Sequence, residues 1–195
     1  MHFQIYRARE SELIEGCRKN DRSAQKTIYE TMAGKMLSLC CRYVKNRMEA
    51  EDVVVTSFTK VFEKIDQFKG EGSFEGWVRR IVVNECLSFL RKNKNMHLET
   101  DLAAADREPD LNNLNNHLEA EDLLKLVAEL PPGYQIVFNM YAIDGYSHKE
   151  IAEHLGINEN TSKSQLSRAR SHLQSRLLEM EKNIQHKKKE NEQAG

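Results

Sequence analysis

Helix-breaking residues are scarce along this chain. Only three prolines and nine glycines stand among its 195 residues, which leaves long stretches free to form uninterrupted helices. Most apolar residues between them recur at three- and four-residue spacing, the period of a helix that buries one face. Apolar residues make up 39% of the chain and charged residues 30%, which suits small helical cores and excludes collagen-like and fully disordered chains. The sequence therefore predicts an all-α protein.

Charge is spread unevenly along the chain. Residues 1–95 carry a net charge of +5 and residues 125–195 a net charge of +1, whereas residues 96–124 hold one basic and eight acidic residues. The acidic part contains Pro109, a run of asparagines and no sustained helical period, which is typical of a flexible linker. This linker is either a solvated connector or a segment that repels nucleic acid and covers basic surfaces in the absence of a partner.

The same pattern sets the expected domain boundaries. We expect two small helical domains over residues 1–95 and 118–180, joined by a flexible acidic linker over residues 96–117. Residues 181–195 are expected to form a frayed helix end and a disordered tail, because they are polar and lie at the terminus.

Three helical segments are predicted in the first domain. The apolar pattern from Ser11 to Val44 indicates either a helical pair or one long broken helix. A second segment starts with acidic residues after Arg47 and continues to Ile65. Ser73 can cap a third helix that starts near Phe74 and extends to about Lys92.

The third predicted helix has two unlike faces. Its apolar side consists of Val78, Val82, Cys86, Phe89 and Leu90. Its other side carries a stripe about 80° wide, formed by Trp77, Arg80, Asn84, Ser88 and Arg91. Such a stripe suits single-stranded nucleic acid, because guanidinium groups contact phosphates, an aromatic ring stacks on a base and an amide reads base edges. A solvated arginine face beside a core tryptophan explains the same pattern, and the sequence leaves both readings open.

The second domain contains a helix-turn-helix pattern. A helical stretch over 118–130 ends at Pro131-Pro132-Gly133, and a further helix is predicted from Tyr134 to Tyr141. Ser147 and the carboxylate three residues later form a capping box that opens a short helix, Lys149–Leu155. Gly156 then supplies the left-handed residue that ends it, and the next residues form a second helix capped by Asn158.

The helix after Asn158 is suited to reading duplex DNA. The face expected to pack in the core consists of Ser162, Leu166, Ala169, Leu173 and Leu177. The opposite face is polar and consists of Lys163, Ser164, Ser167, Arg168 and Ser171, with Gln165 and Arg170 at its flanks. Short hydroxyl side chains let a helix sit deep in the major groove, where Arg, Lys and Gln reach guanine edges or phosphates. We therefore favour DNA binding over a purely structural helical pair.

Nothing in the sequence indicates catalysis. Cys17, Cys40, Cys41 and Cys86 lack paired spacing and are expected to be reduced, mostly buried thiols. The histidines His148, His154 and His172 have no metal-ligand spacing and are expected to be solvated or to cap helices. No phosphate-binding loop or nucleophile–base pair is present, so we expect no cofactor, no metal and no enzyme activity. The absence of a signal-peptide core or a membrane-length apolar run predicts a cytoplasmic protein without membrane insertion.

Four collinear segments carry a family resemblance. They are Ala50–Val54 with Phe58–Phe62, then Phe68–Gly70 with Trp77–Asn84, then Leu130-Pro131, and finally Ile151–Arg170. From about Leu13 to Leu178 the chain resembles the extracytoplasmic-function sigma factors. The resemblance implies two helical domains that bind bacterial core RNA polymerase and promoter DNA, with an anti-sigma factor as inhibitor. A lone helix-turn-helix would be weak support, but four segments in this order and spacing are specific.

The resemblance also assigns roles to residues. Core polymerase would be bound by Glu51, Asp52, Val55, Phe58 and Phe62. The unpaired strand at the minus-ten element would be held by Lys60, Lys64, Phe74, Trp77, Arg80, Ile81, Asn84 and Arg91, with a flipped base between Lys60, Ile81 and Asn84. The minus-thirty-five duplex would be read by Lys163, Ser164, Gln165, Ser167, Arg168, Arg170 and Ser171.

The chain departs from the family pattern at two places. Val55-Thr56 stands where the family usually has a glutamine and an acidic residue, so part of the usual polar contact with polymerase is missing. Ser162 stands where a valine is usual, and its hydroxyl should weaken core packing by about 1 kcal/mol or find a backbone acceptor. The alternative to a sigma factor is a dimeric repressor or activator that uses only the helix-turn-helix, but basic residues in both domains favour the sigma factor.

Overall fold

The described part of the molecule is entirely helical. The computed structural model describes the backbone of residues 2–93 and 120–193 and the side chains of residues 9–93 and 122–180. Within these ranges there is no strand, so the expected all-α fold is confirmed. The contacts divide the chain into two compact units, residues 1–94 and 95–195. The predicted linker, residues 96–117, lies outside the described residues.

The first unit contains four α-helices. They are α1 (His2–Arg18), α2 (Arg22–Tyr43), α3 (Arg47–Glu63) and α4 (Phe74–Lys92), with a short 3-10 turn at Ile65–Gln67. The first segment is thus a helical pair rather than one broken helix. Asn20 adopts a left-handed conformation (φ 57°) between α1 and α2, and the Asp21 side chain accepts a hydrogen bond from the Ser23 amide (2.9 Å) to cap α2.

Side-chain caps also fix the starts of α3 and α4. Asn46 accepts a hydrogen bond from the Met48 amide (2.9 Å), and Ser73 accepts one from the Gly76 amide (3.2 Å), as its predicted capping role requires. Helices α2, α3 and α4 pack on one another, and α1 packs on α2. Cys17, Cys40 and Cys86 are buried in this core and Cys41 is exposed, which confirms that most of the thiols are buried.

The second unit contains α5 (Ala120–Ala128), α6 (Pro132–Phe138), α7 (His148–Leu155) and α8 (Glu159–Gln193), with a π-helical turn at Asn139–Ile143. Helix α6 starts at Pro132 instead of the expected Tyr134, because proline is well suited to the first turn of a helix. Helices α5, α6 and α7 all pack on α8. Part of the shared core is formed by Leu126, Val127, Leu130, Ala169, Leu173 and Leu177.

The helix-turn-helix consists of α7, a tight turn and the first part of α8. Both hydrogen bonds of the predicted capping box at Ser147 are present, and Gly156 ends α7 in the left-handed conformation (φ 67°). The Asn158 side chain accepts a hydrogen bond from the Thr161 amide (2.7 Å) and caps α8. Helix α8 continues to Gln193, so the helix extends through residues 181–193 of the segment expected to be a frayed helix end and tail.

Candidate nucleic-acid interface

Helix α8 separates its apolar and polar side chains as predicted. The five residues of the predicted apolar face are buried, and Ser162 and Ala169 have no solvent exposure. On the other side Lys163 and Ser171 are exposed, while Ser164, Ser167 and Arg168 are partly exposed. Hydroxyl and cationic groups therefore line an accessible surface along two turns of the helix.

Gln165 does not belong to this surface. Its residue exposure is 1%, which rules out direct contact with DNA in this conformation and corrects the predicted role. Neither polar atom of its side-chain amide has a hydrogen-bond partner among the residues the structure describes. By its angle around the helix, Gln165 lies at the flank of the exposed face of α8, yet it is buried.

The buried hydroxyl of Ser162 has a side-chain partner. Its Oγ lies 2.9 Å from Nδ1 of His148, the first residue of α7. We expected a loss of packing energy or a backbone acceptor at this position. Instead, the imidazole satisfies the hydroxyl and ties the two helices of the helix-turn-helix together. This role of His148 is not visible in the sequence, because the two residues lie 14 positions apart.

His148 also belongs to a stack of side chains beside α8. Its ring stacks on Tyr141 of the π-helical turn, with centroids 4.5 Å apart and planes inclined by 22°. The guanidinium carbon of Arg170 lies 5.9 Å from the centroid of the Tyr141 ring, within cation–π range. Burial, followed by the positive charges of Lys163 and Arg170, lowers the pKa of His148 below its usual 6.5.

Helix α4 of the first unit presents the predicted aromatic and basic stripe. Arg80 and Arg91 are exposed, and Trp77, Asn84 and Ser88 are partly exposed. On the opposite side Val78, Val82, Cys86 and Leu90 are buried, whereas Phe89, predicted as core, is only partly buried. The helix thus combines a core face with an accessible face that can contact a nucleic acid strand.

Trp77 is held in a cluster of three aromatic rings. It stacks on Phe74, with centroids 5.8 Å apart, and lies 5.6 Å from Phe68. Phe74 is 4% exposed, so its predicted contact with single-stranded DNA is corrected to packing against the Trp77 ring. The Arg18 guanidinium donates a hydrogen bond to the Phe68 carbonyl (2.7 Å), which fixes the loop before α4 against α1.

Lys60 of α3 is bound to an acidic residue of α4. Its ammonium nitrogen lies 2.7 Å from a carboxylate oxygen of Glu85, a largely buried side chain. Glu85 directly follows Asn84 in α4, and Lys64 lies exposed at the C-terminal end of α3. Glu85 was missed in the sequence, because no local spacing connects an acid on a basic helix with a lysine 25 residues earlier.

A small groove continues along α3 and α4 beyond this ion pair. It has a volume of about 130 Å³ and is lined by Val53, Thr56, Glu85, Ser88, Phe89 and Lys92. The groove begins next to the Lys60 ion pair, so the accessible surface between the two helices is longer than the predicted base pocket.

The exposed face of α3 combines acidic and apolar side chains. Glu51 and Asp52 are exposed, Val55 is 57% exposed and Phe62 is partly buried. Phe58 is buried against Tyr29, with ring centroids 4.9 Å apart, so its predicted contact with polymerase is corrected to a core role. Met48, which no sequence pattern singles out, is 75% exposed, the highest value among the large apolar residues of the ranges whose side chains are described.

Within the described ranges, no three His, Cys, Asp or Glu side chains form a group that could hold a metal ion. No helix within those ranges has the length and apolar character needed to cross a membrane.

Comparisons with known proteins assign the chain to a family. The sigma-70 region 2 family matches residues 28–96 and the sigma-70 region 4 family matches residues 120–173. The ECF RNA polymerase sigma-E factor of Haemophilus influenzae is 27% identical over 177 residues, covering 85% of this chain and 93% of that protein. Its namesake in Escherichia coli K12 is also 27% identical over 177 residues, covering 85% of this chain and 92% of that protein.

A solved structure has a similar fold. The sigma factor RpoE of Bartonella quintana, crystallised with the anti-sigma factor NepR, has a TM-score of 0.51 and 23% identity. The likeness covers 79% of this chain and 96% of that chain, and it shows a shared fold. With both sigma-70 regions present in order along a chain of sigma-factor fold, the protein belongs to the sigma-70 family as an extracytoplasmic-function sigma factor.

Proposed function

We propose that this chain directs bacterial core RNA polymerase to specific promoters and opens the minus-ten region. The observation that carries this proposal is the presence of two unlike accessible polar surfaces on one chain, one on α8 and one on α4. Helix α8 presents hydroxyl and cationic groups suited to a major groove, and α4 presents an aromatic and cationic stripe suited to an unpaired strand. A protein that opens DNA needs both, because it must bind duplex upstream and single strand at the opened element.

For the minus-thirty-five element, we propose that α8 lies in the major groove. Its contacts would be Lys163, Ser164, Ser167, Arg168, Arg170 and Ser171, all at least partly exposed. Gln165 is left out of this set because it is buried. Arginine can bond two acceptors on guanine, so Arg168 is the strongest candidate for sequence-specific reading.

For the minus-ten element, we propose that the unpaired strand follows the stripe of α4. Its contacts would be Lys60, Lys64, Trp77, Arg80, Ile81, Asn84 and Arg91. Unstacking a base costs a few kcal/mol. Stacking on the ring of Trp77, polar contacts in the pocket and phosphate contacts can offset this cost without nucleotide hydrolysis. We therefore propose that the chain acts by binding and is not an enzyme.

For polymerase, we propose the exposed face of α3 as the docking surface. Glu51, Asp52, Val55 and Phe62 combine negative charge with apolar area. Because Val55-Thr56 replaces a polar pair, this contact should depend more on apolar burial than on salt. An anti-sigma factor is proposed as a further partner by analogy with the Bartonella quintana complex. Acting on polymerase would place the protein in the bacterial cytoplasm.

The test of this proposal is run-off transcription with purified core polymerase and promoters selected from a pool of random DNA. Addition of the full chain should give promoter-specific transcripts, with unpaired thymines at the minus-ten element that react with permanganate. Asn84→Ala should impair opening while leaving upstream duplex contacts intact. A chain that protects DNA as a dimer without polymerase, and fails to bind polymerase in gel filtration, would be the alternative regulator.

Two arginine variants test the assignment of the α8 surface. Arg168→Ala should cost about 1–3 kcal/mol of promoter binding and relax discrimination at one base pair. Arg176→Ala is the matched control, because Arg176 is an exposed arginine of the same helix that lies outside the proposed contact set. Equal losses in the two variants would contradict the assignment.

A further inference from the structure

The loop between the 3-10 turn and α4 is held near both ends by side chains of other helices. At its start, the Arg18 guanidinium of α1 donates a hydrogen bond to the Phe68 carbonyl (2.7 Å). Just beyond its end, the Lys35 ammonium of α2 lies 2.9 Å from a carboxylate oxygen of Glu75. Between these contacts, residues 69–73 include two glycines in the left-handed conformation (φ 77° and 85°), which other residues rarely adopt.

Of the two contacts, that of Arg18 is the stronger. It joins a cation to a main-chain carbonyl at a partly buried position, and hydrogen bonds from charged donors are stronger than neutral ones. Guanidinium nitrogens of Arg18 also lie 3.4 Å from a carboxylate oxygen of Glu15 and 3.9 Å from one of Asp66 in the 3-10 turn. The side chains of Lys35 and Glu75 are 65% and 39% exposed, and exposed ion pairs contribute little because water screens them.

The residue that Arg18 holds also packs on the tryptophan of the proposed strand surface. The Phe68 ring lies 5.6 Å from the Trp77 ring and 5.2 Å from the Phe74 ring, and Phe68 is buried. Because the bonded carbonyl and the ring belong to one residue, a shift of the main chain at Phe68 moves the ring that contacts Trp77. Closely packed side chains transmit such displacements. The contact of Arg18 is thereby coupled to the orientation of Trp77.

On the basis of the function proposed above, we propose that Arg18 is a positioning residue for the unpaired strand of the minus-ten element. It acts through Phe68: its hydrogen bond holds the loop against α1, and the loop holds Trp77 so that the accessible part of its ring can stack on a base. Such preorganisation raises affinity, because the strand does not have to order the loop on binding. Helix α1, which supplies none of the DNA or polymerase contacts proposed above, thus takes part in strand binding.

The fluorescence of the free chain measures this coupling directly. Trp77 is the only tryptophan of the sequence, so selectively excited tryptophan emission reports its surroundings alone. Arg18→Met keeps an apolar stem and a high helix propensity but removes the donor and the charge. It should shift the emission to longer wavelength and increase quenching by acrylamide. Lys19→Met is the matched control, because it removes the same charge from an exposed neighbour that pairs with Glu15 (3.6 Å), and it should leave the emission unchanged.

The same variants are then compared in complex with core polymerase. The probe is a fluorescent single strand of about 12 nucleotides from the minus-ten region of a promoter selected in the transcription assay. In anisotropy titrations at constant ionic strength, Arg18→Met should weaken strand binding about three- to tenfold, and Lys19→Met by less than about twofold. Arg18→Lys keeps a cationic donor and should restore the natural emission and most of the affinity.

Three results would overturn the positioning role while leaving the sigma-factor proposal intact. The first is an unchanged Trp77 emission or an unchanged strand affinity in Arg18→Met; weaker binding without a change in emission would mean that Arg18 contacts the strand itself. The second is an equal loss of affinity in Arg18→Met and Lys19→Met, which would reflect net charge alone. The third is faster hydrogen exchange of core amides of α3, such as that of Val54, which would assign Arg18 to general stability. Failure of the natural chain to bind the strand with polymerase overturns both proposals.

Discussion

Replacing Gln165 by methionine should make the second unit more stable. The side chain is 1% exposed, and both amide atoms lack a hydrogen-bond partner among the described residues. A buried polar group without a partner costs about 1–3 kcal/mol. Methionine has nearly the same length and helix propensity, but it brings no amide into the core. We therefore expect Gln165→Met to raise the free energy of unfolding by about 2 kcal/mol.

Hydrogen exchange can measure this change in the full chain and in the correct unit. A gain of about 2 kcal/mol should slow exchange of the core amides of α8, such as those of Leu166 and Ala169, by roughly 30-fold. Amides of α3 in the first unit serve as an internal reference. Gln174→Met is the matched control, because Gln174 lies on the same helix, is partly exposed and has an interaction partner. This control should change exchange by less than about threefold.

The same variant tests the corrected role of Gln165. A buried side chain that makes no DNA contact should be replaceable with less than about a twofold loss of duplex affinity. Faster or unchanged exchange in Gln165→Met would mean that the amide is satisfied in solution, and the burial argument would be wrong. A large loss of affinity in a fully folded variant would instead return Gln165 to the contact surface.

Three further predictions follow from single contacts. Glu85→Gln should raise the affinity of the polymerase complex for single-stranded DNA about threefold, because it releases Lys60 from its ion pair and removes a negative charge. In anisotropy titrations this gain in affinity should become smaller at higher salt concentration. Gly156→Ala should destabilise the second unit by about 1 kcal/mol, because the φ of Gly156 is 67°. Gly34→Ala, in the open middle of α2, should instead stabilise the first unit by about 0.5–1 kcal/mol, and hydrogen exchange of the core amides of each unit measures the two effects separately. Because the pKa of His148 is lowered in the folded protein, the free energy of unfolding of the second unit should be higher above pH 6.5 and should fall on acidification through the folded-state pKa, in the absence of DNA. Urea unfolding followed by the methyl signals of Leu166 should show a smaller decrease in His148→Gln.

Local signals in the sequence predicted the elements well. The capping box at Ser147, the left-handed Gly156 and the cap at Asn158 all depend on residues within four positions, so their chemistry is visible in the chain itself. Partners that are distant in the chain were not visible. The hydrogen bond of Ser162 with His148 and the ion pair of Lys60 with Glu85 connect separate helices, and no periodicity indicates which side chains will meet.

The three contact residues that proved buried have a common physical origin. Phe58, Phe74 and Gln165 each lie one helical turn before a predicted contact that remains accessible: Phe62, Trp77 and Arg168. Periodicity gives the angle of a side chain around its helix, but how far the neighbouring helices cover it depends on packing. For the two phenylalanines the covered ring supports the accessible one, with centroids 6.1 Å apart for Phe58 and Phe62 and 5.8 Å for Phe74 and Trp77. Substitutions at these buried rings should therefore impair binding through the position of their neighbours, without any direct contact with DNA or polymerase.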